Sequence, residues 1–557
     1  MDYPTLVDVY LALEKTSKRL EKVDIISDLL KKCNIDNLII VVYLLQGRVF
    51  PLCDERKIGM SSRLILKAIS QSAGVSLQEV EKLWRKKGDL GIVAEELLSK
   101  RKQTTLYRRE IDVQKVFDNV RKLAETGGEG TVKRKIGLIV ELLNNAKPIE
   151  ARFIVRTVLD ELRIGVADGI LRDSIAKAYG FDVKKVERAF DILADFGEVA
   201  KRAKKKSLEH IELEVGKPFK VMLAIKVDDI KSAFEAVGKP ALLESKIDGF
   251  RVTIHKKSNN IKLFTRRMEN ITKQFGEVID VINSNVKCKD CILDSEFVGY
   301  DPKTKKYLPF QNISRRIKRK YNIEVMAKKF PVEINIFDIV HYNGKDLFQE
   351  TQEKRRMLIE KIVENKKFKI KLTNKLVTGD EKEADVFFKD ALKEGHEGLI
   401  FKKLDALYQP GRRVQGWVKL KSVLEPFDLT VTRCYFGEGK RAGWLTSYTL
   451  ACKAGDKLLE IGKVSTGVKE KGEGFTYRKI TKMLKPLIQK QEGKEAIVNP
   501  KIVIEVGYEE IQKSPTYSSG YALRFPKVLK VRFDKPVSEI TTLDMIKKYY
   551  NAQQGKK

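Results

Sequence analysis

The stretch "LLESKIDGFRVTIH", residues 242–255, alternates apolar and polar side chains on both sides of an Asp-Gly turn, which predicts short strands joined by a tight connection. Lys246 closes the first of them, two residues before Asp248 and five before Arg251. On these residues alone two readings stay open: a lysine that flanks a hairpin, or a nucleophile held at a strand end. The period of two continues through "FRVTIHKKSNNIKLFTRR", a hairpin around Ser258, Asn259 and Asn260.

Outward from this stretch the period changes. Up to about residue 215 apolar residues recur at helical spacing, as in Leu20, Val23, Ile26 and Leu30 and again in Ile136, Ile139, Val140 and Leu143, which predicts an all-helical region. From "GKPFKVML" at 216 strands alternate with a few helical stretches. After Glu425-Pro426 the chain reads as strands punctuated by glycines, among them Gly437, Gly455, Gly462 and Gly467, a pattern that suits a small barrel. Three domains are expected, at 1–215, 216–424 and 425–557, within an α+β fold class.

Composition narrows the partner. The 109 Lys and Arg against 76 Asp and Glu leave a formal charge of +33, which points to a polyanion. Two glycine-rich interruptions beside basic residues, "ETGGEGTVKRK" at 125–135 and "LRIGVADG" at 162–169, are candidate contacts for duplex phosphates, since glycine lets backbone N–H groups approach closely. Ordinary interhelical loops would read the same way. The six cysteines are scattered, and the single "CKDC" lacks the partners of a tetrahedral zinc site. The longest apolar run, "LIIVVYLL" at 38–45, is far shorter than the ~20 residues that cross a bilayer. A soluble chain in the reducing cell interior is expected.

The company kept by K-x-D-G-x-R (Lys246, Asp248, Gly249, Arg251) decides its meaning. Downstream lie "FTRRMENITKQF" (264–275), "CILDSEFVGYD" (291–301), "EINIFDIVHYNG" (333–344), "EGLIFKK" (397–403), "GRRVQGWVKLKS" (411–422) and "LRFPKVLKVRFDK" (523–535). In this order the series resembles the motifs of ATP-dependent DNA ligases of the archaeal and eukaryotic replicative type, within the covalent nucleotidyltransferase superfamily. The resemblance covers the whole chain. It implies a helical DNA-binding domain, a mixed α/β nucleotidyltransferase domain and a C-terminal OB-fold β-barrel. It also implies that nicks in double-stranded DNA are sealed through a lysyl-AMP and a 5′-adenylylated DNA, with ATP and Mg²⁺, in replication, recombination and repair.

The resemblance carries over residue by residue. Lys246 becomes the AMP-bearing nucleophile, Glu244 a contact to the adenine edge, and Arg251 and Arg266 contacts on the ribose and phosphate side. Glu296 and Glu397 bind the ribose or the metal, a task Asp294 could share; carboxylates suit Mg²⁺, which takes oxygen ligands. Phe337 stacks on adenine, whereas Ile334 and Ile336 are core. Arg413 precedes Trp417 as in the family, Lys419 and Lys421 leave one strand face toward the triphosphate, and Arg524 orients the departing pyrophosphate. An amine that attacks phosphorus must be neutral, yet free lysine titrates near ~10.4, so neighbouring cations have to lower it. Gly249 is expected to keep the approach to the phosphate clear. "RKQTTLYRR" at 101–109 sits where similar ligases carry a sliding-clamp peptide, but Leu106 and Tyr107 replace the usual phenylalanines. A monomer in a prokaryotic-type cytoplasm completes the expectation. RNA ligases and capping guanylyltransferases share the lysine motif but not the helical front end, and a noncatalytic duplex clamp would not require Lys246, Glu296, Glu397, Lys419 and Lys421 together.

The charge generates a prediction. Raising salt from about 50 to about 200 mM weakens nicked-duplex binding by roughly 10³-fold or more, with little difference between sequences, because phosphate contacts release counterions. Fluorescence-anisotropy titrations at graded salt measure it, and a flat response removes the electrostatic grip.

Overall fold

The computed structural model describes residues 1–54, 56–101, 110–308, 310–317, 319, 321–421, 424–437, 441, 443–470, 472 and 475–554. The clamp-peptide candidate Gln103–Tyr107 lies outside the described residues. The chain divides into two compact units: Met1–Lys226 with Phe234–Asp380 and Ile400–Lys419, and Val227–Ala233 with Glu381–Leu399 and Leu420–Lys557.

In the first unit, helices run from Tyr3–Lys15 to Phe196–Lys204 around one apolar core. Val113–Glu125 shows the local logic: the Asp112 side chain accepts from the Lys115 N–H at its start, and Val116, Phe117, Val120 and Leu123 are buried at steps of three and four. The helices Thr131–Asn145 and Asp168–Tyr179 follow the two glycine-rich interruptions, and neither has a side-chain cap at its N-terminus.

Strands then take over, as the change of period predicts. They are β1 (Leu223–Val227), β2 (Ala241–Lys246), β3 (Phe250–Lys257), β4 (Asn260–Thr265), β5 (Asp290–Gly299), β6 (Val332–Tyr342), β7 (Lys345–Asp346), β8 (Ile370–Leu372), β9 (Lys375–Thr378), β10 (Gly398–Lys403) and β11 (Arg413–Lys421). One sheet has the order β1-β11-β10-β2-β9; the other runs β4-β3-β5-β6-β7 with β8 beside β6. The hairpin at Ser258 forms where expected, with Lys257 opposite Asn260 and Ser258 at φ 53°. Ile334 and Ile336 are fully buried in the core of the second sheet.

The second unit is β-rich. After β12 (Phe427–Phe436), β13 (Leu445–Ala454), β14 (Lys457–Val464), β15 (Ile488–Glu492), β16 (Glu495–Val498), β17 (Val503–Gly507), β18 (Glu510–Lys513), β19 (Tyr521–Arg524) and β20 (Lys527–Val531), the order is β14-β13-β12-β16-β15, with β17 between β12 and β20 and β18-β19 as a separate pair. The expected barrel is thus an open strand order among the described residues. The outer side of β20 is met by the loop at Thr466 and Gly467, where the Thr466 carbonyl accepts from the Val528 N–H at 2.9 Å.

The helix Gln352–Ile362 packs against β6. Arg355 on this helix and Asp338 on β6 are both fully buried and joined by two hydrogen bonds of 2.8 and 3.1 Å; Arg355 also donates to the carbonyls of Glu350 and Ala406. Arg355→Ala strands the Asp338 carboxylate and lowers stability by about 3–5 kcal/mol. Denaturant unfolding checks this, and a loss no larger than that of an exposed pair, about 1 kcal/mol, contradicts it.

Candidate active site

Lys246 is half-buried at the end of β2, after five buried residues. β2 lies inside its sheet, between β10 and β9, so the lysine projects from a strand paired on both sides. The turn that follows presses on β5: a Cβ on Gly249 would lie 2.3 Å from the Phe297 carbonyl oxygen and 3.0 Å from the Glu296 Cγ. The glycine therefore admits a neighbouring strand; the expectation that it clears space for phosphate is corrected accordingly.

Arg251 and Glu296 face each other in the register of β3 and β5. Arg251 grips Asp294 through Nε and Nη2 at 2.8 and 2.6 Å and donates to the Met222 carbonyl at 2.7 Å. The Tyr408 hydroxyl donates to the same carboxylate at 2.8 Å. Asp294 has no exposed surface, so its proposed share in metal binding is corrected: it anchors Arg251. Glu296, two residues on, is only half-buried.

Arg266 follows β4. Burial, then the charges of Arg251 and Arg413, lower its pKa, while Glu296 opposes them. This field gathers four sequence-predicted residues. Phe337 is half-buried on β6, edge-on to Trp417 at 6.2 Å, with the Arg251 guanidinium 5.4 Å and the Lys402 ammonium 5.0 Å from its ring centroid. β10 and β11 of the first sheet thus present Lys402 and Trp417 to the Phe337 and Arg251 of the second. Arg413 is exposed and Lys419 half-buried on β11.

Glu244 is almost wholly buried, and its carboxylate is held by Lys402 at 2.6 Å, Arg356 at 2.5 Å and the Thr373 hydroxyl at 3.0 Å. Lys402, Arg356 and Tyr408 were not singled out from the sequence. The available signal was "FKK": strand alternation sends one lysine inward, Lys402, and the other outward, Lys403.

In the second unit Lys421 lies between Glu397 at 3.0 Å and Glu509 at 2.9 Å. Burial lowers its pKa, but Glu397 and Glu509 outweigh this and raise it overall. Arg524 pairs with Glu510 across β18 and β19 at 3.0 Å, beside the Phe525 ring. No group of three metal-ligating side chains occurs among the described residues. Single carboxylates such as Glu296 and Glu397 fit an Mg²⁺ that takes most of its oxygen shell from substrate phosphates and water. All six cysteines are free, and no helix among the described residues is long and apolar enough to cross a membrane.

Comparison with known proteins identifies the family. Residues 2–176, 221–421 and 441–535 match the family models "DNA ligase N terminus", "ATP dependent DNA ligase domain" and "ATP dependent DNA ligase C terminal region". The chain is 46% identical to the DNA ligase of Nanoarchaeum equitans, covering 100% of this chain and 99% of that one. It is 40% identical to the DNA ligase of Thermococcus onnurineus, over 100% and 98%. A solved structure named Pmar-Lig_PreS3 shares the fold with a TM-score of 0.59 at 17% identity, covering 95% of this chain and 99% of that one. Matched by all three family models and by full-length relatives, the chain belongs to the ATP-dependent DNA ligases.

Proposed function

We propose that Lys246 is the residue that carries AMP while this ATP-dependent ligase seals nicks in duplex DNA, and that the cleft of the first unit binds the nucleotide. The observation that carries the assignment is that Arg266 lies in the combined field of Arg251, Arg413 and Glu296, with Arg251 5.4 Å from the centroid of the half-buried Phe337 ring. Phe337 offers a stacking face for adenine, Glu244 an acceptor for its edge, and Glu296 an acceptor for ribose hydroxyls or a metal ligand. The arginines neutralise phosphate charge, the effect that dominates phosphoryl transfer. Lys419 and Lys421 serve the triphosphate. When bound, Mg²⁺ would supply further charge neutralisation at the phosphates, and Glu296 and Glu397 are each a candidate ligand for it.

Three in-line displacements follow. The Lys246 amine attacks the α-phosphorus of ATP and pyrophosphate leaves. The 5′-phosphate of the nick then attacks the lysyl-AMP phosphorus and frees Lys246. The 3′-hydroxyl finally attacks the adenylylated 5′-phosphate and AMP departs. Residues 1–215 serve as the DNA-binding domain, their uncapped helix starts after Gly130 and Ala167 supporting phosphate contacts; 216–424 form the nucleotidyltransferase domain and 425–557 an OB-fold domain. A clamp-docking peptide at Gln103–Tyr107, a monomeric state and a cytoplasmic location belong to the same reading and rest on the sequence alone.

Lys246→Ala abolishes transfer of label from α-labelled ATP to the protein, read on a denaturing gel with Mg²⁺ present; labelled AMP on that variant sinks the assignment. Arg524→Ala slows Lys246–AMP formation, because a misplaced pyrophosphate loses in-line geometry. Sealing of a nick that already carries 5′-AMP releases no pyrophosphate and is much less affected. Equal loss of both activities, with duplex binding intact at low salt, returns Arg524 to a shared structural role.

A further inference from the structure

The "CKDC" run, residues 288–291, stands apart from the nucleotide chemistry. Cys288 lies half-buried in the connection that follows the helix Val278–Asn285, and Cys291, with no exposed surface, is the second residue of β5. The chain bends at Lys289, between them, and both side chains pack on the same apolar core. The thiols meet: a hydrogen bond between them is the largest influence on each, pushing the Cys288 pKa down and the Cys291 pKa up. Cys291 is therefore the donor and Cys288 the acceptor. Their exposures favour the same order, since burial opposes a thiolate.

The backbone around the pair is held from several sides. The Lys287 N–H donates to the Ile362 carbonyl at 2.7 Å, the Cys288 N–H to the Val286 carbonyl at 3.1 Å, and the Ser258 N–H of the β3–β4 hairpin to the Lys289 carbonyl at 2.8 Å. Asn343 donates its N–H to the Asp290 carbonyl at 2.7 Å and accepts the Asp290 N–H on its side chain at 3.2 Å. A buried cation stands beside the thiols. Lys256 faces Cys291 in the register of β3 and β5, is 4% exposed, and donates to the Val286 carbonyl at 3.2 Å and to Asn283 at 3.3 Å. Its charge favours the thiolate at both cysteines, while Asp290 opposes it. A partly exposed cysteine with a cation nearby and a second thiol three residues on has the surroundings of a reactive dithiol. Structural zinc takes four ligands, and no group of three metal-ligating side chains occurs among the described residues.

We infer that Cys288 and Cys291 form a thiol–disulfide exchange site whose substrate is a small organic disulfide, with Cys288 as the nucleophile and Cys291 as the resolving thiol. The Cys288 sulfur attacks one sulfur of the disulfide, whose S–S bond breaks; a mixed disulfide forms and one thiolate leaves. The Cys291 sulfur then attacks Cys288, closes the protein disulfide and expels the second thiolate. Two electrons pass from the cysteine pair to the small disulfide, and the two cysteine protons end on the two thiols released. Cys291 needs no access to solvent, because its target is Cys288. The bridge ties the start of β5, the strand that carries Asp294 and Glu296, to the segment before it.

The test incubates the full chain, first reduced and freed of reductant, with graded ratios of oxidised to reduced glutathione. Samples are quenched in acid and their peptides read by mass spectrometry. The segment 288–291 loses two hydrogens while Cys33, Cys53, Cys434 and Cys452 stay reduced. Cys53 is the internal control: it is also half-buried, but burial pushes its thiol up. Cys291→Ser stops at a stable glutathione adduct on Cys288, and Cys288→Ser leaves Cys291 unmodified. Lys256→Gln slows adduct formation roughly threefold, because the loss of thiolate outweighs the gain in its nucleophilicity. A native chain that keeps glutathione on Cys288 without closing the bridge overturns the inference, as does one in which Cys53 reacts as readily as the pair. If Cys291→Ser does not fold, Cys288→Ser decides alone: glutathione on its Cys291 overturns the assigned roles.

Discussion

Two consecutive arginines on one helix each hold a strand of a different sheet in the first unit. Arg355 and Arg356 leave Gln352–Ile362 in different directions; the first grips Asp338 on β6 of one sheet, the second Glu244 on β2 of the other. Buried ion pairs are a costly way to join elements, because the charges leave water and their attraction only about offsets that loss. Here the geometry is nearly saturated with hydrogen bonds, which makes the arrangement tolerable and defines it narrowly. Hydrophobic packing alone would let the sheets slide. A carboxylate with three donors around it has one position.

The same device recurs at Asp294, where Arg251 and Tyr408 arrive from β3 and from the loop before β11. Arg251 is thereby fixed with its guanidinium near the Phe337 and Trp417 rings. Long, flexible side chains are thus made rigid by buried partners, so they have little ordering entropy left to lose.

Within the first unit the segment after the helices is tied to the strands by backbone contacts. The Leu213 N–H donates to Asp346 at 2.8 Å, and the Gly216 N–H donates to His255 Nδ1 at 3.1 Å. Burial, followed by the charges of His341 and Lys262, pushes the His255 pKa down to about 3, so its ring is neutral and able to accept that bond near pH 7. On the helical side, Glu187 receives Arg172 at 2.9 Å and Arg412 at 2.8 Å. Arg412 adjoins Arg413, so an ion-pair chain runs from the helix Asp168–Tyr179 to the start of β11.

The sequence by itself determined the order of helical, mixed and β-rich regions, the hairpin at Ser258 and the strand-end lysine, because periodicity and turn chemistry act over a few residues. It also supplied the family, because motif order is a property of the chain. It could not separate Asp294 from Glu296, which alternation places on one face; Arg251, 43 residues away, and Tyr408, 114 away, bury the first and leave the second accessible. Nor could it separate Lys402 from Lys403, or show that Gly249 exists for the Phe297 carbonyl. Those outcomes belong to tertiary structure, since the free energy of a charge depends on which partners and how much water surround it, and distant segments bring both.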